Sequence, residues 1–188
     1  AVVAAGRRLV EAGLIARTWG NVSARISDTE FVITPTGRDY LSLGPDEIVP
    51  VCIDDLSHRG DLKPSGERGV HAAIYRARPD VRFVVHTHQA AAYAISATPL
   101  GEIRVAEPLL GGTVLIAGYG LPSTKKLREN VATALNRTEG HAIIMRNHGA
   151  VCFGTDPDEV FEAAQRLEAA CEQFIRDFYR THKRVDVV

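Results

Sequence analysis

Two histidines separated by one residue are the most chemically suggestive feature of this sequence. His86 and His88 lie in VVHTHQAAAYA, at the end of the apolar run VRFVV (81–85). Residues i and i+2 of a strand point to the same side of a sheet and lie about 6–7 Å apart. Two imidazoles placed in this way can bind one metal ion, but two polar residues at the end of a strand would show the same pattern. A metal site therefore requires a third ligand elsewhere in the chain.

His148 is the best candidate for that third ligand. Many zinc enzymes use three imidazoles and leave one coordination position for water or substrate. His148 follows the apolar stretch HAIIMRN and precedes Gly149, which permits a tight bend or a close backbone approach. The alternative is a hydrogen-bonded core histidine. Cys152 is a weaker candidate, because AVCFG reads as a core strand in which cysteine is a small buried hydrophobe. The other histidines are expected to be solvated, to begin a strand or to pack beside the site: His58, His182, His141 and His71.

A carboxylate and several turns could complete a site. Glu67 opens the helix predicted in KPSGERGVH (63–71), and the free amides of a helix start suit an anion such as phosphate. On its own, Glu67 is explained as readily by a favourable interaction with the helix dipole. The turns in TWGNVSAR and TPTGRDY can hold an oxyanion, although ordinary turn chemistry explains each of them equally well.

Alternating helices and strands must position these residues. Helices are predicted at 2–16, 66–78, 90–97, 124–137 and from Pro157, and strands at 21–26, 31–35, 48–54, 81–85, 113–118, 141–147 and 150–154. Ser123 is expected to cap the helix that follows it, and Asp156-Pro157 to open the last one. This order predicts an α/β domain over residues 1–188, with a mixed central sheet covered by helices.

Composition bounds the class of protein. The 188 residues are 45% hydrophobic, which is enough for a substantial core in one domain. The formal net charge of −1 gives no overall attraction to nucleic acid or to an anionic membrane. No apolar run approaches the roughly 20 residues of a membrane helix, and no signal peptide is recognised. The three cysteines, Cys52, Cys152 and Cys171, have no CxxC spacing, which favours a reducing compartment and a cytoplasmic location.

Six motifs together resemble the class II aldolase/adducin-head family. In order along the chain they are TWGNVSAR (18–25), ITPTGRDY (33–40), KPSGERGVHAAIY (63–75), VVHTHQAAAYA (84–94), AGYGLPST (117–124) and RNHGAVCFG (146–154). The family includes fuculose-phosphate and rhamnulose-phosphate aldolases, a ribulose-phosphate 4-epimerase and a methylthioribulose-phosphate dehydratase. The resemblance implies a three-layer α-β-α sandwich, a homotetramer with active sites between subunits, and Zn²⁺ or another divalent ion such as Mn²⁺ or Co²⁺.

The resemblance also implies roles for individual residues. The metal ligands would be His86, His88 and His148, and Glu67 would be the catalytic base and in some states a further ligand. The aldolases of the family have Glu at this position, as this chain does, whereas the epimerases commonly have Asp. The reaction would cleave a sugar phosphate or related hydroxy-ketone through a metal-stabilised enediolate, with Asn21 holding an enediolate oxygen. The substrate and its phosphate would be bound by Thr18, Gly20, Asn21, Thr36, Gly37, Ser65 and Gly66.

Two departures from the family leave the substrate open. The aldolases often have Ser-Ser where this chain has Ser65-Gly66, so a non-phosphorylated or an acidic substrate is also an option. The region IRVAEPLL (103–110) lacks the tyrosine that fuculose-phosphate aldolase supplies from the adjacent subunit. Epimerase, dehydratase and decarboxylase activities remain alternatives within the family. A non-catalytic interaction module like the adducin head and a zinc hydratase or hydrolase are two further alternatives. The intact set of histidines with Glu67 weighs against a pure scaffold.

Overall fold

One sheet of eight strands organises the chain in the structure, a computed structural model that describes residues 1–16 and 18–182. The strands are β1 (Asn21–Arg25), β2 (Glu30–Ile33), β3 (Val49–Cys52), β4 (Phe83–Thr87), β5 (Glu102–Arg104), β6 (Thr113–Ala117), β7 (Ala142–Met145) and β8 (Gly149–Gly154). The α-helices of these residues are α1 (Val2–Glu11), α2 (Arg68–Ala77), α3 (Ala90–Ser96), α4 (Lys125–Leu135) and α5 (Pro157–His182).

The sheet is mixed, as the sequence predicts. Its strand order is β3-β2-β1-β4-β8-β7-β6-β5, and β6 and β7 run parallel while the other neighbours are antiparallel. Strand β4 lies in the interior of the sheet between β1 and β8, and all five of its residues are buried. In this register His86 lies opposite Asn21 on one side and Val151 on the other. Two residues that are predicted to do chemistry are therefore neighbours across a strand pair.

Two hydrophobic cores, one on each face of the sheet, make the three-layer sandwich. Helices α1, α3 and α5 cover one face, and α2 and α4 cover the other. The alternation of side chains along β4 divides its residues between the two cores: Phe83 and Val85 point to the first and Val84 to the second. Burial of both faces explains why the central strands are continuous apolar runs. The α-β-α architecture expected from the resemblance is confirmed.

Several element boundaries differ from the sequence prediction. Helix α1 ends at Glu11 rather than at residue 16, because Gly13 adopts a left-handed conformation with φ of 69°. The N-cap of α4 is Thr124, whose hydroxyl accepts a hydrogen bond from the Leu127 amide at 3.3 Å, so the assignment of Ser123 to that role was wrong. Ser123 itself has φ of 65°. Asp156 accepts hydrogen bonds from the amides at the start of α5, as predicted.

All three cysteines are free thiols, and Cys152 is fully buried among apolar side chains. Burial raises the pKa of the Cys152 thiol, which keeps it protonated and unsuited to bind a metal.

Among the described residues, no helix has the length and apolar character that crossing a membrane would require.

Candidate metal centre and substrate pocket

Three histidines converge where the central strand β4 ends and β8 begins. His86 lies on β4, His88 directly follows that strand, and His148 lies in the turn between β7 and β8. Each offers one ligand atom, and these atoms all lie within 4.8 Å of one another. They meet because β4 pairs with β8 in the antiparallel sense, with Thr87 opposite Ala150, so that the end of one strand adjoins the beginning of the other. The three rings predicted to share a metal are thus brought together.

The chemistry of this group fits a divalent metal ion. The Nδ1–H of His86 donates a hydrogen bond to the Ala150 carbonyl at 2.8 Å, which leaves the buried Nε2 as the ligand atom of this ring. Hydrogen bonding of the second ring nitrogen to a carbonyl is typical of metal-binding histidines. The Nδ1 atoms of His88 and His148 are buried without a hydrogen-bond partner. Buried polar atoms normally have partners, and three imidazoles suit Zn²⁺ and related ions.

Glu67 lies beside the histidines at the N-terminal end of α2. Its carboxylate oxygens lie 2.9 Å from His86 Nε2 and 3.1 Å from His148 Nε2. Burial acts to raise the pKa of Glu67, but the charge of His86 and the contacts from both imidazoles outweigh it and hold the pKa well below its usual range. Burial acts to lower the pKa of His86, but the charge of Glu67 outweighs burial, so the pKa of His86 is raised. Glu67 is therefore an ionised carboxylate in contact with the metal-binding group.

His88 has a different environment from its two partners. Burial and the charges of His86 and His148 lower the pKa of His88 to about 3, so the ring is neutral and keeps a lone pair at physiological pH. The indole of Trp19 meets this ring edge to face, with centroids 5.5 Å apart. Trp19 is 61% exposed although it is large and apolar. No sequence pattern singles out this exposed aromatic beside the histidines.

A polar pocket lies next to the metal-binding group, and Glu67 lines it. Gly20 has φ of 79°, and a Cβ at this position would collide with the carbonyl of His86, so only glycine fits. Gly37 also has a positive φ, of 71°. Lys63 and Ser123 line the pocket as well, although the sequence analysis gave them no role there. The structure brings together in this pocket every residue predicted to bind substrate: Thr18, Gly20, Asn21, Thr36, Gly37, Ser65 and Gly66.

A buried polar cluster supports the pocket from behind. His71 contacts Asn21 through Nε2 and Ser23 through Nδ1, the latter at 2.6 Å, and the hydroxyls of Ser23 and Tyr75 are 2.7 Å apart. Burial and the charge of His86 lower the pKa of His71 to about 3, so this ring is neutral. The position of Ser23 on β1, two residues after Asn21, is a signal that could have identified it, because both point to the same face.

His58 and His141 take no part in the metal-binding group. His58 is exposed in the loop after β3, and the ring of His141 lies 3.0 Å from the Phe153 carbonyl. The side chain of His182 lies outside the described residues. Among the described residues, the group that could hold a metal comprises His86, His88 and His148.

Comparisons with known proteins identify relatives along nearly the whole chain. The sequence profile of the Class II Aldolase and Adducin N-terminal domain matches residues 1–175. The 5-deoxy-D-ribulose 1-phosphate aldolase of Bacillus thuringiensis serovar kurstaki is 30% identical over 185 residues, which cover 96% of this chain and 83% of that protein. The 3-oxo-tetronate 4-phosphate decarboxylase of Haemophilus influenzae is 29% identical over 181 residues, which cover 92% and 84%.

The architecture is also that of a solved aldolase. An L-fuculose 1-phosphate aldolase structure superposes with a TM-score of 0.87 over 94% of this chain and 84% of that one, at 24% identity. At this identity the likeness concerns the fold, and the profile match over residues 1–175 identifies the family. On these grounds the chain belongs to the class II aldolase and adducin N-terminal domain family.

Proposed function

We propose that this protein is a divalent-metal-dependent lyase that cleaves a sugar phosphate or a related hydroxy-ketone by an aldol-type reaction. The observation that carries the proposal is the convergence of three imidazoles and an ionised carboxylate at the edge of a polar pocket. The names of the relatives support a phosphorylated substrate with a carbonyl group. A pure scaffold would gain nothing from burying such a costly group of titratable side chains.

The three histidines would hold Zn²⁺, or alternatively Mn²⁺ or Co²⁺. When bound, such an ion supplies a Lewis acid that stabilises negative charge on substrate oxygens. His86 is held in the correct orientation by the Ala150 carbonyl, and the neutral ring of His88 is ready to act as a ligand. The fit of these side chains to a metal is independent of which sugar is bound.

Glu67 would move the proton of the reaction. Its carboxylate lines the substrate pocket and also contacts His86 and His148, so it lies between the substrate and the metal-binding group. As an ionised carboxylate it would accept the proton of the hydroxyl group whose carbon becomes the aldehyde as the C–C bond breaks. It would then deliver that proton to the carbon from which the aldehyde fragment has departed. The catalytic partner of Glu67 would be Asn21, whose amide lies 3.4 Å from a Glu67 oxygen and offers N–H donors to a substrate oxygen.

The turns around the pocket would bind the rest of the substrate. Thr18, Thr36 and Ser65 provide hydroxyl groups, and Lys63 provides a positive charge on the same pocket. The backbone amides at Gly37 and Gly66 can approach an anion closely because no side chain intervenes. These groups suit the phosphate of a sugar phosphate better than an uncharged hydroxyl group.

Decarboxylation is the second candidate reaction, because one relative carries that activity in its name. Loss of carbon dioxide next to a carbonyl leaves the same negative charge on the substrate oxygens as aldol cleavage does. Epimerase and dehydratase activities would use the same groups.

We also propose a cytoplasmic homotetramer, in line with the family resemblance and the free thiols.

The test is a panel assay on the metal-loaded protein. Ketose 1-phosphates, their unphosphorylated counterparts and a 3-oxo-acid phosphate are supplied separately, and released aldehyde and carbon dioxide are measured. Aldehyde from the ketose 1-phosphates supports the lyase, and carbon dioxide from the oxo-acid supports the decarboxylase. A protein that purifies without metal and turns over none of these compounds would be an interaction module instead.

Replacement of Glu67 tests the assigned base. Glu67→Gln is expected to retain most of the metal, because the three imidazoles remain, and to lose about 100-fold or more of turnover. Metal content and kcat are measured on the same samples. Glu11→Gln is the matched control, since Glu11 is exposed on the last turn of α1. Full turnover in Glu67→Gln would show that the base is another residue.

A further inference from the structure

Four buried polar side chains form a continuous series that ends at Glu67. The hydroxyl of Tyr75 lies 2.7 Å from the hydroxyl of Ser23, which lies 2.6 Å from Nδ1 of His71. Nε2 of His71 contacts Oδ1 of Asn21, and Nδ2 of Asn21 lies 3.4 Å from Oε2 of Glu67. The exposed fractions of Ser23 and His71 are both 0%. No solvent therefore competes for the contacts of these two side chains.

The orientation of the Asn21 amide sets the direction of every hydrogen bond in the series. Asn21 turns Nδ2 toward Glu67 and Oδ1 toward His71. An amide oxygen only accepts, so Nε2 of His71 must carry the proton. Because the ring is neutral, its Nδ1 is then an acceptor, and it must receive the hydroxyl proton of Ser23.

Tyr75 closes the series at its other end. Once the hydroxyl of Ser23 donates to His71, its oxygen is left to accept, and the Tyr75 hydroxyl is the donor beside it. Burial raises the pKa of Tyr75, so the phenol keeps its proton. The reverse order would turn the oxygen of Asn21 toward the carboxylate of Glu67, which places two acceptors against each other. Only one direction satisfies every buried group.

We propose that His71 is a positioning residue that, with Ser23 and Tyr75 behind it, holds the Asn21 amide as an obligatory hydrogen-bond donor to the substrate. This inference rests on the proposed function and deepens it. One N–H of the amide faces Glu67, and the other can bind a substrate atom in the pocket that Asn21 lines. The atom bound there must be an acceptor oxygen, which matches negative charge on a substrate oxygen and excludes an ammonium group.

The tautomer of His71 is the direct test, and it needs no substrate or metal. In metal-free protein labelled with ¹⁵N-histidine, the ¹⁵N shifts and couplings of His71 are expected to show a protonated Nε2 and a bare Nδ1. In zinc-loaded protein labelled with ¹⁵N-asparagine, addition of glycolohydroxamate, a small mimic of an enediolate, is expected to shift the side-chain amide resonances of Asn21. A protonated Nδ1 with a bare Nε2 would overturn the proposal.

A double-mutant cycle separates positioning from a merely structural role. His71→Leu removes the contacts with Ser23 and Asn21. It is expected to lower kcat about 10- to 100-fold with little change in KM, a smaller loss than removal of the substrate's hydrogen-bond donor would cause. His71→Gln should recover most of the loss, because its amide can accept from Ser23 and donate to Asn21. In the Asn21→Ala background, His71→Leu should cost almost nothing further.

The outcomes distinguish this inference from the proposed function. If His71→Leu lowers kcat equally in both backgrounds, or if His71→Gln is as poor as His71→Leu, the positioning role is refuted. If the protein releases no aldehyde or carbon dioxide but His71 shows the expected tautomer and the hydroxamate shifts the Asn21 amide, the proposed reaction fails while the directed hydrogen-bond series stands.

Discussion

His148 is the side chain on which the metal-binding group most depends, because it alone comes from a distant part of the chain. We expect His148→Ala to weaken zinc binding by more than about 100-fold, beyond the 10- to 100-fold typical of changes around the ligands. Chelator competition on purified variants measures the affinity. His58→Ala, at an exposed loop histidine, should bind zinc as the wild type does. Stoichiometric zinc in His148→Ala at the same affinity would refute the ligand assignment.

His71 should make stability depend on pH. The unfolded chain protonates this ring near its ordinary pKa of 6.5, whereas the folded protein does so only near pH 3. Between these values the unfolded state binds the extra proton, so the free energy of unfolding falls as the pH falls, by about 1.4 kcal/mol per pH unit. Urea denaturation of metal-free protein between pH 6.5 and 4 measures this slope.

The matched variant for that slope is His71→Gln, which cannot titrate. The neutral, buried His88 contributes a similar slope in both proteins, so only the difference between them reports on His71. The wild type should lose about 1.4 kcal/mol per pH unit more than His71→Gln over this range. Identical slopes would mean that the pKa of His71 is the same in the folded and the unfolded protein.

Single residues were predictable from sequence where the signal is local. The HTH spacing and the His148-Gly149 pair pointed to the three histidines, and the turn motifs pointed to the residues that line the pocket. The partnership of Ser23, His71 and Tyr75 was not predictable, because it joins a strand to a helix about 50 residues away. The exposed position of Trp19 likewise depends on tertiary packing, which a motif does not encode.

At the scale of helices and strands, sequence periodicity predicted which elements exist. It predicted less well where each element ends and in what order the strands pair. The alternating and apolar runs correspond to seven of the eight strands, whereas β5 has three residues and shows too little pattern to be recognised. The insertion of β1 between β2 and β4 was not predictable, because it depends on long-range pairing. Helix α1 ends early because a left-handed backbone at Gly13 overrides a hydrophobic spacing that continues to residue 16.

The turns before α2 and α4 approach each other so closely that their residue types should be coupled. Ser123 has φ of 65°, and its hydroxyl oxygen lies 2.5 Å from the position that a Cβ at Gly66 would occupy. Ser123→Gly should raise the free energy of unfolding by about 1 kcal/mol, because glycine adopts this backbone without strain. Gly66→Ala should lower it, because the added methyl group displaces the Ser123 hydroxyl.

The double variant provides the control for this pair of turns. With Ser123→Gly in place, Gly66→Ala has no hydroxyl to displace, so its cost should shrink by about 0.5 kcal/mol or more. Urea denaturation of the four proteins measures the coupling. Strictly additive effects would show that the two turns do not touch in solution.

The whole molecule places the site where segments that are remote in sequence come together. His86 and His88 come from the end of β4, His148 from the turn between β7 and β8, and Glu67 from the start of α2. The two cores on either side of the sheet hold these elements, so the site exists only in the folded chain. A metal ion bound to it would therefore cross-link the native state and have little affinity for the unfolded one.

Metal binding should consequently stabilise the whole protein. At a free zinc concentration about 1,000 times the Kd, the free energy of unfolding should rise by about 4 kcal/mol, and chelation should remove that gain. The Tm of loaded and chelated protein measures the change. Trp19 is the only tryptophan of the chain and its ring lies 5.5 Å from that of His88, so its fluorescence should respond to the same titration. His148→Ala should show neither response at this zinc concentration, and an equal rise in its Tm would mean that zinc stabilises the protein from another site.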